Sequence, residues 1–315
     1  MKRILAIDGG GIKGVFPASF LATLEDSLGQ NPAEFFDLIA GTSTGGIIAL
    51  GLGLGLSANA ILQFYEEHGP DIFAGNRFLR LLRHIGFSKY SGEPLQKALQ
   101  SVFGERTLGE STKRLVIPSC NLDTGEVHIW KTAHHVRLER DYKARAVDVA
   151  LATTAAPSYF PTYRLAAGTP LVDGGVWANN PMAVAVVEAV GVLGWKRDEI
   201  SILGLGCTST PLDVRWGQWY PSGWAYWGTK LVDVFMRAQS SGALGTAQHL
   251  VADRRNVVRV SPEVANRFDL DTVKEIKSLR GLGDSEARKE LPHLRPLFFT
   301  EPTAEFIPLH GPRAL

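Results

Sequence analysis

The first fifty residues repeat one pattern, in which a short apolar strand is followed by a glycine-rich turn and then by a helix. In chain order the pattern predicts a strand at 3–7, a turn at 9–11, a helix at 15–28, a strand at 35–40, a turn at 41–46 and a helix from 47 onward. Strands that are joined through helices pair in parallel and need helices on both faces. We therefore predict an α/β fold with three layers, in which helices cover a mostly parallel sheet.

The strand and helix patterns continue without a repeat or a linker to a last apolar strand at 200–205. After residue 206 the composition changes, because the segment 216–227 alone holds four of the seven tryptophans. Helical patterns follow at 229–250 and at 262–292. We expect one domain over 1–315, in which 206–315 is an aromatic-rich, helical extension of that same domain.

Composition excludes several classes of protein. Lys plus Arg is 33 and Asp plus Glu is 32, which gives a net charge of +1, and 45% of the residues are hydrophobic. This balance excludes a disordered chain, and it offers no global attraction to a nucleic acid polymer. Cys120 and Cys207 are the two cysteines, and they form neither a disulfide framework nor a zinc motif. We expect no metal and no cofactor.

The amino terminus also lacks an export pattern, since the apolar stretch Ile4 to Ile7 ends at Asp8. The most apolar stretch elsewhere, 47–56, is interrupted by glycines and is shorter than the roughly 20 residues that a membrane span requires. From these two observations we expect a cytoplasmic protein.

A serine lies at the centre of the second glycine turn, Gly41-Thr42-Ser43-Thr44-Gly45. A tight strand-to-helix turn holds a serine hydroxyl out at the edge of a sheet, and glycines two residues before and after give the room for that turn. The amino terminus of the following helix stabilises negative charge beside the serine. Ser43 is therefore a candidate nucleophile, while the simpler interpretation is a serine that only caps a helix.

The first glycine turn, Asp8 to Gly14, fits two functions. Gly9 to Gly14 match the G-x-G-x-x-G pattern of a dinucleotide site, but no acidic residue follows convincingly about 20 residues later. Alternatively, the backbone N–H groups of Gly9, Gly10 and Gly11 form an oxyanion hole, with the positive charge of Lys13 nearby.

A carboxylate follows a third apolar strand in the motif Asp173-Gly174-Gly175. If that strand runs parallel to the others, its carboxyl end lies at the same edge of the sheet as the two glycine turns. Asp173 is thus a candidate base for Ser43, and a dry pocket would raise its pKa toward the range of a useful base. A turn-forming aspartate is the simpler alternative.

Taken together and in this order, DGGGIKG at 8–14, GTSTGG at 41–46 and DGGVWANNP at 173–181 resemble the patatin-like phospholipases, as does ATTAAPSYFP at 152–161. The resemblance covers roughly 4–206. It implies a patatin-like fold and a Ser–Asp dyad that releases fatty acids from membrane phospholipids. In that dyad Ser43 is the nucleophile, Asp173 is the base, and Gly9, Gly10 and Gly11 form the oxyanion hole. The family usually has Arg where this chain has Lys13, and lysine lacks the planar fork of arginine.

The layout of the last third of the chain resembles that of bacterial patatin-like effectors of anti-phage systems. Cyclic oligonucleotides switch those effectors on, so this resemblance implies a cyclic oligonucleotide activator and a role in antiviral defence.

The aromatic segment itself leaves two interpretations open. Its tryptophans either contact the inner face of a membrane, or they are buried as a cap on the core or in a homo-oligomer contact. These tryptophans are Trp216, Trp219, Trp224 and Trp227.

Two other functions stay open from the sequence. A Ser–His–Asp hydrolase would add a late histidine, from His249, His293 or His310, to Ser43 and Asp173. A dinucleotide-binding module without catalysis would use the first glycine turn and ignore Ser43.

Overall fold

A mixed β-sheet forms the centre of the computed structural model, which describes residues 1–74, 88–209, 223–264 and 270–314. Within these residues the sheet has eight strands in the order β5-β6-β3-β2-β1-β7-β8, with β4 paired to β3. The strands are β1 (Lys2–Ile7), β2 (Leu38–Gly41), β3 (Arg114–Asn121), β4 (Val127–Lys131), β5 (Tyr163–Arg164), β6 (Pro170–Asp173), β7 (Ile200–Leu205) and β8 (Val257–Val260). The strands β1, β2, β3, β7 and β8 pair in parallel.

Helices cover both faces of this sheet, as the predicted three-layer arrangement requires. They are α1 (Val15–Leu28), α2 (Thr44–Gly53), α3 (Ala58–Ile72), α4 (Glu93–Phe103), α5 (Ala146–Thr154), α6 (Gly175–Ala178), α7 (Met182–Gly191), α8 (Trp224–Leu250) and α9 (Ile276–Phe298). None of the helices in the described residues is long and apolar enough to span a bilayer.

Successive side chains of a strand point to opposite faces of the sheet, so the apolar core has one part on each face. In β1, Leu5 and Ile7 pack into the larger apolar cluster, which includes side chains of α1, α2, α5 and α9. Ile4 and Ala6 point to the other face, where α7 and the end of α8 cover them. Because successive side chains on a strand alternate in direction, both faces of β1 are buried and its sequence is continuously apolar.

The sheet differs from the prediction at the strand that carries Asp173. This strand, β6, runs antiparallel to β3 and pairs with it from Asn121 to Ser119. On β3, residues 116–120 are paired with β4 along one edge, so β2 and β6 both lie along the opposite edge. The carboxyl ends of β2 and β6 therefore meet head-on beside the middle of β3. The expectation of a parallel strand before Asp173 is wrong, but the two ends still converge.

The carboxyl-terminal helix α9 packs against α1. Ser19 on α1 donates its hydroxyl to the backbone oxygen of Arg280, and Thr23 donates to Asp284. The contact is close because Gly283 lies directly on the backbone of α1, where a Cβ would come within 2.6 Å of the oxygen of Phe16. The predicted helix at 262–292 is shifted, since α9 runs on to Phe298 and includes Pro292 and Pro296.

Candidate active site

Ser43 lies at the junction between β2 and α2 in a strained backbone conformation. Its φ is 55° and its ψ is −123°, which is unusual for a residue with a side chain. A Cβ on Gly41 would overlap the backbone oxygen of Gly45, and one on Gly45 would overlap that of Ile7. The two glycines are therefore required by the close approach of three backbone segments.

The Ser43 and Asp173 side chains are in direct contact. The Ser43 hydroxyl donates a hydrogen bond of 2.6 Å to Oδ2 of Asp173. The other carboxylate oxygen, Oδ1, accepts from the N–H of Gly175, also at 2.6 Å. A serine on the second strand and an aspartate 130 residues later are thus brought together, because β2 and β6 end at the same point.

Burial raises the pKa of Asp173. Asp173 is only 4% exposed, and desolvation raises its pKa to about 6, although hydrogen bonds from Ser43 and Gly175 act in the opposite direction. A carboxylate with a pKa near 6 is ionised at neutral pH and is a stronger base than an exposed aspartate. The arrangement can therefore take a proton from the Ser43 hydroxyl.

The first glycine turn lies beside this pair, and its three glycines are not equivalent. The N–H of Gly9 donates to the backbone oxygen of Asn179 at 3.0 Å. Within the described residues, the N–H groups of Gly10 and Gly11 have no acceptor. They are thus the donors that remain for a substrate oxygen. Ile12 is also engaged, since its N–H donates to the oxygen of Leu270.

Lys13 turns away from this pair of amides. Its ammonium donates to the backbone oxygen of Thr208 at 3.1 Å, and so it joins the glycine turn to the segment after β7. Two of the remaining motif glycines, Gly14 and Gly174, make room for close contacts with neighbouring segments. A Cβ on Gly14 would overlap the hydroxyl of Thr44, and one on Gly174 would overlap the backbone oxygen of Pro118.

Two further residues, Thr153 and Asn179, hold the site in place. The sequence alone indicates no contact partner for either of them. The hydroxyl of Thr153 accepts from the N–H of Ser43 and donates to the backbone oxygen of Pro118. Asn179 holds the glycine turn from the other side, through its backbone oxygen and through a side-chain bond to the oxygen of Gly9. The sequence indicates both residues only through the motifs that contain them, ATTAAPSYFP for Thr153 and DGGVWANNP for Asn179.

The late histidines have other surroundings. Nε2 of His310 lies 3.1 Å from the backbone oxygen of Val136, His249 is at the end of α8, and His293 is on α9. Because the Ser43 hydroxyl bonds Asp173 directly, no histidine mediates that contact. In the residues that the structure describes, no three His, Cys, Asp or Glu side chains are grouped as metal ligands.

The dinucleotide alternative would need an acidic residue near the glycine turn, and Asp37 does not lie there. Asp37 precedes β2 and accepts from the N–H of Arg3, near the amino-terminal end of the sheet. It therefore lies at the opposite end of the strands from the glycine turn, where it cannot reach a ribose.

Of the aromatic segment, Trp216 and Trp219 lie outside the described residues, as does the side chain of Trp224. Trp227 is partly exposed. Farther along α8, Val232 and Phe235 are 65% and 63% exposed. One turn beyond Phe235, the side-chain oxygen of Gln239 accepts from the N–H of Asn179. The exposed apolar face of α8 therefore begins next to the loop that follows Asp173.

Comparison with known proteins identifies a family and several relatives of this chain. A sequence model of the family described as patatin-like phospholipase matches residues 5–186. A cGAMP-activated phospholipase from Pseudomonas aeruginosa is 34% identical over 281 residues, covering 88% of this chain and 82% of that protein. Proteins of the same name from Escherichia coli and Vibrio cholerae are each 37% identical, over 59% and 65% of this chain. The chain spans 55% and 63% of the lengths of those two proteins.

Proposed function

The chain belongs to the patatin-like phospholipase family, and on that premise we propose that it is a lipid acyl hydrolase with Ser43 and Asp173 as its catalytic dyad. The observation that carries the proposal is the 2.6 Å hydrogen bond from the Ser43 hydroxyl to a buried carboxylate. The substrate class is the membrane phospholipid, and the products are a fatty acid and a lysophospholipid.

The chemistry proceeds in two halves. As Oγ of Ser43 attacks the ester carbonyl, Oδ2 of Asp173 takes the hydroxyl proton. The N–H groups of Gly10 and Gly11 donate to the oxyanion that forms. The lysophospholipid alkoxide leaves with the proton from Asp173, and an acyl-serine remains. Water then attacks this ester, Asp173 takes a proton from the water and returns it to Oγ of Ser43, and the fatty acid is released.

In this scheme Gly9 supports the oxyanion hole without donating to the substrate. Its N–H is held by Asn179, so it fixes the position of the two glycines that follow. We therefore assign the oxyanion hole to Gly10 and Gly11, rather than to all three glycines.

We further propose that a cyclic oligonucleotide activates the enzyme, in keeping with a role in antiviral defence. The support is the set of bacterial relatives whose names describe cGAMP-activated phospholipases.

We also propose that 1–315 is a single domain, because α9 packs on α1 and β8 extends the central sheet.

The first test is lipid hydrolysis with and without a cyclic dinucleotide. Purified protein is incubated with phospholipid vesicles and cGAMP, released fatty acids are measured by mass spectrometry, and a fluorophosphonate probe is added in parallel. We expect fatty-acid release that the dinucleotide increases, and covalent labelling at Ser43. Hydrolysis without labelling of Ser43 would contradict the dyad, and a rate independent of the dinucleotide would contradict activation.

We propose that the exposed apolar face of α8 contacts the membrane. Val232 and Phe235 are three residues apart, so they lie on one side of the helix, and a large apolar side chain in water is stabilised by entering a lipid interface. In the double variant Val232→Ser, Phe235→Ser, we expect hydrolysis of vesicles to fall several-fold more than hydrolysis of a soluble short-chain ester. Co-sedimentation with vesicles measures the binding itself.

Val187→Ser is the matched control, because Val187 is 52% exposed on α7. If the double variant binds vesicles as the wild-type protein does but sediments as a smaller particle, the α8 face is instead a contact between two copies of the chain.

A further inference from the structure

An ion pair holds the first residue of the glycine turn. Asp8 is 4% exposed, and its carboxylate faces the guanidinium of Arg259 on β8. Nη1 of Arg259 donates to Oδ1 of Asp8 at 2.8 Å, and Nη2 donates to Oδ2. The pair is thus bidentate, which restrains the orientation of both side chains more than a single contact would.

The guanidinium reaches Asp8 by crossing strand β7. Register places Arg259 beside Gly204, and Gly204 beside Ala6 on β1, so Arg259 and Asp8 share one face of the sheet with β7 between them. A Cβ on Gly206 would come within 2.9 Å of Nη2 of Arg259. Gly204 on β7 and Gly206 just after it leave this face without side chains, and the arginine side chain occupies the space.

The same guanidinium lies near the loop that follows Asp173. Its Nη2 is 3.5 Å from the hydroxyl of Ser240 on α8, and the side-chain amide of Asn180 donates to the backbone oxygen of Ser240 at 3.1 Å. One cation therefore joins the glycine turn, β8 and the helix that holds the Asn179-Asn180 loop.

The charges of Asp8 and Arg259 also affect the reaction. Asp8 immediately precedes the glycines, and an unpaired carboxylate there would repel the negative charge that develops on the substrate oxygen. Arg259 neutralises that carboxylate. Removal of the arginine should therefore slow catalysis more than removal of the aspartate.

We propose that Arg259 is a positioning residue of the hydrolytic reaction, and that its bidentate pair with Asp8 holds the glycine turn so that the Gly10 and Gly11 N–H groups face the oxyanion. The inference rests on the function proposed above. Arg259 touches no reacting atom, and it acts only through Asp8 and the turn.

The test is the variant Arg259→Lys, which keeps the positive charge but loses the fork. We expect kcat to fall roughly 10–100-fold, while KM stays within about twofold, because the donors of an oxyanion hole act in the transition state. A trifluoromethyl ketone analogue of the acyl ester adds to Ser43 as an oxyanion, and its affinity should fall by the same factor as kcat. All measurements are made well below the melting temperature of each variant.

The matched control is Arg255→Lys. Arg255 precedes Arg259 by four residues and makes a forked pair with Asp253, but that pair is exposed. The kcat and the analogue affinity of Arg255→Lys should therefore match the wild-type values. Wild-type values in Arg259→Lys as well would overturn the proposal and leave the ion pair a purely stabilising contact. If the wild-type chain itself shows no hydrolysis that depends on Ser43, the proposed function fails, and this inference fails with it.

If Arg259→Lys does not fold, the double variant Asp8→Asn, Arg259→Gln replaces it, because that variant leaves no unpaired charge in the interior. We expect it to fold but to show the same parallel loss of kcat and analogue affinity. A wild-type kcat in the double variant would overturn the proposal. Among the single variants, Asp8→Asn should keep more activity than Arg259→Gln, and the reverse order would contradict the electrostatic role.

Discussion

Replacement of Ser43 by alanine is expected to lower fatty-acid release at least about 10⁴-fold, because the variant has no nucleophile and the glycine turn and binding surface alone give little rate. The protein should remain folded. The Asp173 carboxylate loses the hydrogen bond from Ser43 but keeps the one from the N–H of Gly175. Hydrolysis of vesicles, followed by mass spectrometry of free fatty acids, measures the effect on activity.

Ser43→Gly separates the loss of chemistry from the strain in the backbone. Ser43 has a φ of 55° with ψ near −123°, a conformation that costs a residue with a Cβ on the order of 1–3 kcal/mol but costs glycine little. Both variants should be inactive, and the melting temperature of Ser43→Gly should exceed that of Ser43→Ala. Activity above about one hundredth of the wild-type rate in either variant would contradict Ser43 as the nucleophile.

The sequence predicted the parts of the site whose signals are local. A strand, a glycine turn and a helix follow one another around Ser43, and the structure has β2 and α2 there, between Leu38 and Gly53. The helix at Val15–Leu28 was predicted to the residue, because its apolar spacing and Gly29 define both ends. These features depend on neighbours in the sequence, which a single chain displays directly.

The parts that the sequence did not reveal depend on pairing between distant segments. The four-residue strand β6 carries no mark of its direction, which is determined by its partner β3 and by the place that β2 leaves free on the same edge. Arg259 likewise follows a stretch with no motif, and its side chain reaches Asp8, 251 residues away, over Gly204 and Gly206, where a Cβ would meet the arginine. Contacts between distant segments of this kind can be identified only once the fold is known.

Exchange of Asp173 for asparagine is expected to abolish activity and to remove the loss of stability that the wild-type protein shows as pH rises to about 6. Asparagine cannot take the Ser43 proton, so the rate should fall at least about 10³-fold. In the wild-type enzyme the buried carboxyl has its pKa raised to about 6. The rate should therefore rise with pH up to about pH 6 and level off above it, because only the ionised form is a base.

The sign of the stability effect follows from the same raised pKa. Between about pH 4 and pH 6 the folded protein holds a proton on Asp173 that the unfolded chain has released, so the wild-type protein loses stability as pH rises through that window. The loss amounts to at most about 3 kcal/mol, and Asp173→Asn avoids it. The free energy of unfolding from urea titrations should favour the variant more at pH 8 than at pH 5. An equal difference at both pH values would mean that Asp173 is not a buried carboxyl with a raised pKa, and the rate profile would then need another base.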